Sequence, residues 1–137
     1  MDTGPSPRHL PVLLAEVLKH LELQPGDTLV DATLGGGGHA AAAAALLGPT
    51  GRLIGLDRDP SMLARARLRL EALPQPPPFD LLHASFAHLR SILDDLAVDR
   101  VDAVLADLGF ASEQIDDPSR GLSFAAEGPL DMRLNPH

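Results

Sequence analysis

One carboxylate and four consecutive glycines form the stretch of the chain with the most potential for chemistry. Asp31 follows the apolar residues Leu29 and Val30, and Gly35–Gly38 come shortly after it. A glycine turn between a strand and a helix lets a ligand approach the backbone, because no Cβ stands in the way. The helix after such a turn directs free N–H groups at that ligand. The stretch therefore predicts a cofactor site.

The charge of Asp31 limits the class of ligand. Gly35, Gly37 and Ala40 match the G-x-G-x-x-A pattern of dinucleotide sites, but a glycine tract followed by an alanine tract satisfies that pattern almost automatically. A carboxylate beside the turn would repel a pyrophosphate and attract a ligand with a cationic amino group and a cationic sulfur. These features favour S-adenosylmethionine over a dinucleotide. A glycine turn without any ligand is a further alternative.

Three other side chains are candidate members of the same site. Asp57 ends the second predicted strand and fits a carboxylate that accepts hydrogen bonds from both ribose hydroxyls, in nicotinamide and methionine-type cofactors alike. Phe86 follows the third strand, where an adenine ring could lie against it; a core position is the alternative. Asp107 ends the fourth strand, and an acid at the end of an apolar strand is costly unless the site uses it.

The elements that must position these residues alternate along the chain. The pattern predicts strands near 28–34, 52–57, 79–83 and 101–107, and helices near 10–21, 38–47, 62–73 and 87–97. Repeated βαβ units predict an α/β fold with a doubly wound, mostly parallel sheet of about four strands. Residues 1–8 are predicted to be a flexible N-terminus, residues 9–110 the cofactor-binding core, and residues 111–137 an active-site loop region leading to a missing C-terminal part.

The composition excludes several classes of protein. The chain of 137 residues has a net charge of −8, whereas a protein that binds nucleic acid unaided needs a basic face. The chain has no cysteine, and its six histidines do not have the spacing of metal ligands, so we expect no metal site. Since no apolar run reaches about eighteen residues, we expect a cytoplasmic protein without a membrane partner. The fourth strand is an apolar edge, which allows self-association.

Seven segments, in this order, resemble one known family. They are His9–Leu14, Asp31–His39, Leu56–Pro60, Asp107–Gly109, Gln114–Asp117, Arg120–Phe124 and Gly128–Arg133. Together they resemble the MraW family, the bacterial 16S ribosomal RNA (cytosine-N4) methyltransferases, over residues 9–136. The resemblance covers the amino-terminal half, since members of that family continue with an inserted helical domain and further strands. Phe110 and Ala111 depart from the family, which usually has smaller or hydroxylated residues there.

The resemblance implies a Rossmann-like class I methyltransferase that depends on S-adenosylmethionine. Its implied substrate is the exocyclic N4 amine of a cytosine in the decoding region of 16S rRNA, in the small ribosomal subunit. Asp107 is the predicted catalytic residue, as acceptor of a hydrogen bond from that amine. Carried over by position, the cofactor contacts of the family fall on Gly37, Gly38, His39, Asp57, Phe86, Asp107 and Gln114.

Two other functions stay open from the sequence. The first is a truncated chain that binds the cofactor but is catalytically inactive. The second is an NAD-dependent oxidoreductase, which shares the glycine turn and Asp57 but has no need of Asp31. Calorimetry with the two cofactors and an assay of methyl transfer would separate these functions.

Overall fold

A computed structural model of the chain describes residues 13–109, 114, 116–120, 122, 127–129 and 134–135. The elements are helices α1 (Leu14–Leu21), α2 (Gly38–Leu47), α3 (Pro60–Glu71) and α4 (Leu89–Asp95), strands β1 (Thr28–Asp31), β2 (Arg52–Asp57), β3 (Phe79–His83) and β4 (Ala103–Leu105), and 3₁₀ turns at Phe86–His88 and Pro118–Arg120. The predictions for residues 1–8 and for much of 111–137 lie outside the described residues. No described helix is long and apolar enough to cross a membrane.

The four strands form one parallel sheet in the order β3-β2-β1-β4. The chain proceeds outward from β1 to β2 and β3, and then crosses back to place β4 on the other side of β1. The predicted α/β fold with a parallel sheet is therefore confirmed. Since the strand order reverses between β1 and β4, the carboxyl ends of these two strands flank the crevice where open α/β sheets bind their ligands.

Alternate residues of the strands pack against opposite layers of helices. Leu29 and Leu53 belong to a core cluster that includes residues of α2 and α3, whereas Val30 and Ile54 belong to a second cluster with Leu93 of α4. These four strand residues are fully buried, as expected for parallel strands covered on both faces. The sheet is doubly wound, as predicted.

The alanine tract makes α2 thin enough to lie close to the sheet and to α3. Ala40, Ala43 and Ala44 are buried. Gly37, just before α2, has φ 82°, and a Cβ at this position would lie 3.0 Å from both Cα and Cβ of Ala66 in α3. Glycine is therefore needed at position 37 for its backbone conformation and for the close approach of the two helices.

Several elements are shorter than predicted or shifted along the chain. β1 ends at Asp31 rather than 34, because the Asp31 carboxylate accepts a hydrogen bond from Thr33 N (3.2 Å) and the chain turns. α3 begins at Pro60 rather than 62, because the Asp59 carboxylate caps it by accepting from Ser61 N (2.9 Å). β4 spans 103–105 rather than 101–107, and α4 spans 89–95 rather than 87–97 because a 3₁₀ turn precedes it.

Candidate cofactor site

The glycine loop connects β1 to α2 at the reversal of strand order. Two backbone hydrogen bonds hold it, from Leu34 N to Leu56 O (2.9 Å) and from Gly37 N to Leu34 O (3.0 Å). Gly38 and His39 form the first turn of α2, and no described side chain caps that helix. The N–H groups of this first turn are therefore available to an anionic group of a ligand.

Asp31 is a buried carboxylate with one unpaired oxygen. Its exposed fraction is 1%, and Oδ2 has no hydrogen-bond partner among the described residues. Burial raises the pKa of Asp31 to about 7; the Thr33 N–H opposes this rise, and the nearby charges of Asp57 and Asp107 add to it. Because an unpaired buried carboxylate is costly, a cationic ligand group placed against Oδ2 would remove most of that cost. This environment fits the cationic ligand that the sequence predicts.

His39, in the first turn of α2, supplies a second unpaired polar atom beside the glycine loop. Its side chain is buried, and Nε2 has no hydrogen-bond partner among the described residues. Buried polar atoms are normally paired, so an unpaired one beside a glycine loop supports a role in ligand binding. Residue types alone gave no reason to select His39, which was predicted only through the resemblance.

Asp57 is fixed against the glycine loop by two backbone N–H groups. Oδ2 accepts a hydrogen bond from Gly35 N and Oδ1 accepts one from Asp59 N, both at 2.8 Å. Burial raises the pKa of Asp57, and these two hydrogen bonds partly oppose the rise. Since each carboxylate oxygen can accept a further hydrogen bond, the oriented group can still receive two ribose hydroxyls.

Asp107 lies on the same crevice but is exposed, which corrects part of the prediction. β4 ends at Leu105, and Asp107 N donates to Thr33 Oγ1 at 2.6 Å. Because the side chain is solvated, the argument that an acid here would be costly is wrong. What places Asp107 at the candidate site is its link to the β1 loop and its effect on the pKa of Asp31.

Phe86 is partly exposed rather than a core residue. It lies in the 3₁₀ turn that follows β3, and its exposed fraction is 48%. In the sheet register, His83 at the end of β3 pairs with Asp57 at the end of β2. Phe86 therefore follows a strand end at the same edge of the sheet as the strand ends that carry the acids, and its side chain has free surface for a planar ligand group.

Gln114 is buried and forms a hydrogen bond with Asp59, next to the loop that follows β2. Its Nε2 donates to Asp59 Oδ2 at 2.9 Å, and Arg120 Nη2 lies 2.9 Å from the same oxygen. Asp59 was predicted only as the acid that starts α3, and that role is confirmed. The sequence reasoning missed the pairing with Arg120. The available signal was that Arg120 and Asp59 both lie in segments of the resemblance.

A doubly wound parallel sheet with a glycine loop after its first strand, and with acids at or just after the ends of three strands, is typical of the Rossmann-like class of cofactor-binding proteins. Among the described residues, no group of three histidine or acidic side chains could hold a metal ion. The model of the MraW methylase family matches residues 6–137, and the chain belongs to that family, which confirms the resemblance.

Individual relatives agree with this assignment. The Ribosomal RNA small subunit methyltransferase H of Koribacter versatilis is 48% identical in an alignment of 134 positions, and the match covers 94% of this chain and 42% of that protein. The protein of the same name from Pseudoalteromonas atlantica is 45% identical, over 99% of this chain and 42% of its own length. A crystal structure of a candidate rRNA methylase from Clostridium thermocellum has a TM-score of 0.63 and 27% identity, over 75% of this chain and 54% of that one. The chain thus spans about two fifths of the length of the curated relatives.

Proposed function

We propose that this chain is the cofactor-binding part of an S-adenosylmethionine-dependent methyltransferase that acts on ribosomal RNA of the small subunit. The observation that carries the proposal is the unpaired, buried oxygen of Asp31 beside the glycine loop, which suits a cationic ligand and repels a pyrophosphate. Membership of the MraW methylase family and the names of the relatives support the class of reaction and of substrate. These relatives give no support to the alternative of an NAD-dependent oxidoreductase.

The residues of the site match the chemical groups of S-adenosylmethionine. Asp31 would hold the cationic amino group, and Asp57 the ribose hydroxyls. The first turn of α2, with Gly38 and His39, would receive the carboxylate. Phe86 would lie against the adenine. When bound, the cofactor supplies an electrophilic methyl group on a cationic sulfur.

Asp107 is the residue we assign to the substrate amine. The N4 amine of cytosine is a weak nucleophile because its lone pair is delocalised into the ring. A carboxylate that accepts a hydrogen bond from an N–H localises this lone pair and stabilises the charge that develops as the nitrogen gains a methyl group and loses a proton. The exposed position of Asp107 at the mouth of the crevice suits contact with an unstacked base.

The cytosine-N4 target in the decoding region of 16S rRNA is the finer part of the proposal and rests on the resemblance. The net charge of −8 is unfavourable for binding RNA without a partner. We therefore assign RNA binding to the part of the relatives that this chain does not span, and expect the chain alone to be inactive. The proposed substrate places the protein in the cytoplasm.

Isothermal calorimetry tests the cofactor. We expect S-adenosylmethionine and S-adenosylhomocysteine to bind the chain and NAD not to bind. Asp31→Asn should abolish measurable binding, whereas Asp99→Asn, which changes an exposed acid far along the chain from the glycine loop, should leave it unaltered. Binding of NAD at equal or greater affinity would reverse the choice between the two cofactors.

A chimera tests the reaction. In it, this chain replaces the matching segment of the Koribacter versatilis relative, and methyl transfer is assayed on small ribosomal subunits. We expect N4-methylcytidine in the digested RNA from the chimera and none from the chain alone. Asp107→Asn should lower kcat by about a hundredfold or more, with Asp99→Asn as control. Methylation of another base, or full activity of Asp107→Asn, would contradict the assigned target or the assigned role respectively.

A further inference from the structure

We infer that Asp59 and Arg120 are positioning residues: they fix the carboxylate of Asp57 and hold Gln114 and Arg120 against the start of α3. The inference rests on the proposed function in one respect, since it takes Asp57 as the group that receives the cofactor. Neither residue belongs to the predicted contacts of the cofactor. Their role is assigned from a buried network that joins the loop after β2 to a segment about sixty positions later in the chain.

Asp59 has more hydrogen bonds than a helix cap requires. Its side chain is fully buried; Oδ1 accepts from Ser61 N (2.9 Å), Ser61 Oγ (2.7 Å) and Arg120 Nη2 (3.0 Å), and Oδ2 accepts from Gln114 Nε2 (2.9 Å). Burial alone would raise the pKa of Asp59, but the hydrogen bonds from Gln114, Ser61 and Arg120 outweigh it and leave the pKa below its usual value. Only the bond from Ser61 N is needed to cap α3.

Arg120 connects Asp59 to two further points of the later segment. Its guanidinium is 15% exposed; Nη1 donates to Leu134 O (3.2 Å), and Nε lies 3.6 Å from Asp117 Oδ2. One planar group thus binds a buried carboxylate, a backbone carbonyl and a second acid. A lysine offers a single charged nitrogen and could not satisfy these directions together.

The network reaches the cofactor site through the backbone of Asp59. One carboxylate oxygen of Asp57 accepts a hydrogen bond from Gly35 N and the other accepts one from Asp59 N. The orientation of Asp57 therefore depends on the position of residue 59. Without Arg120, the buried Asp59 loses its cationic partner and must move or take up a proton. A movement of Asp59 would shift its backbone N–H, which is one of the two donors that orient Asp57. Cofactor affinity should therefore depend on Arg120.

The first test compares Arg120→Met with a matched ion-pair variant. Arg90→Met removes the exposed ion pair with Asp94 (2.7 Å) on α4, a helix that carries none of the described site residues. Affinity for S-adenosylhomocysteine is measured by calorimetry at a temperature where circular dichroism shows every variant folded. We expect Arg120→Met to weaken binding about tenfold or more and Arg90→Met to leave it unchanged. Arg120→Lys keeps the charge and should fold even if Arg120→Met does not; its expected loss of affinity is smaller.

The second test needs no cofactor. Amide hydrogen exchange of Gly35 and Asp59, the two donors to Asp57, should be faster in Arg120→Met and Arg120→Lys than in the unaltered chain, and unchanged in Arg90→Met. A lower melting temperature with unchanged affinity and exchange would show a purely structural role and overturn the inference. If the unaltered chain does not bind S-adenosylhomocysteine, the proposed function fails, and the exchange measurement still decides whether Arg120 positions Asp57.

Discussion

At the scale of single residues, Asp31 combines a cost in stability with a gain in binding. Its pKa is about 7 in the folded chain and about 3.8 when unfolded. At a pH between these two values, the carboxyl group is therefore protonated in the folded state and ionised in the unfolded state. The free energy of unfolding should fall by about 4 kcal/mol in total as the pH rises from about 4 to 7, and it should stay low above pH 7. We expect Asp31→Asn to unfold at a higher temperature than the unaltered chain at pH 8, and to lose this advantage at pH 5. Thermal unfolding of the two proteins at both pH values measures this difference.

The same group should make cofactor binding depend on pH. A cationic amino group requires the ionised form of Asp31, so below pH 7 binding must release the proton. We expect affinity for S-adenosylhomocysteine to rise from pH 5 to about pH 7 and then to level off, as measured by calorimetry in buffers of different ionisation enthalpy. A flat affinity over this range, with no proton release, would show that Asp31 does not receive the cation.

The acids of the site differ in how far the sequence could predict them. Asp57 and Asp107 could be assigned to the crevice because each follows a strand, and parallel strands end at the same edge of a sheet. That Asp31 is buried and Asp107 exposed depends on packing around the loop and is not contained in the pattern. The pair of Asp59 and Arg120 was missed, because the resemblance marks both residues without showing that they touch, and their contact forms only when Arg120 folds back on the start of α3.

At the scale of elements, two adjacent glycines in the turn before α2 differ in their backbone conformation and in the space around them. Gly37→Ala combines a positive φ with a contact of 3.0 Å to Ala66, whereas a Cβ on Gly36 would have no atom within 4 Å. We expect Gly37→Ala to lower the free energy of unfolding by about 1–3 kcal/mol, and Gly36→Ala to change it by less than about 0.5 kcal/mol. Urea unfolding measures both. Equal stability of the two variants would mean that the loop and α3 adjust without cost.

The elements themselves were predictable, but their bounds were less so. Helical and strand periodicity depends on which residues are apolar, and the two core clusters follow that pattern. The ends depend on individual side-chain bonds to the backbone, such as Asp31 to Thr33 N and Asp59 to Ser61 N. Such bonds compete with the strand or helix at single positions, where periodicity carries no information.

At the scale of the whole molecule, β4 is an edge strand of the sheet and is only partly covered. β4 pairs with β1 on one side, and no described strand lies on its other side. Val104 in the middle of β4 is 49% exposed, although its sequence neighbourhood is that of a buried strand. An apolar strand with unpaired backbone groups binds a further strand readily, either from the same protein or from another copy.

Self-association through this edge is the outcome we expect for the chain alone, and a charged residue on the edge should prevent it. Sedimentation velocity over a range of concentrations should show dimers of the unaltered chain and monomers of Val104→Lys. Leu68→Lys is the control, because Leu68 is more exposed (71%) but lies on α3, away from the edge. If both variants reduce association equally, general apolar exposure rather than the edge holds the copies together. In the chimera, where the rest of the relative can cover β4, we expect Val104→Lys to lower the melting temperature instead, because it then buries a charge.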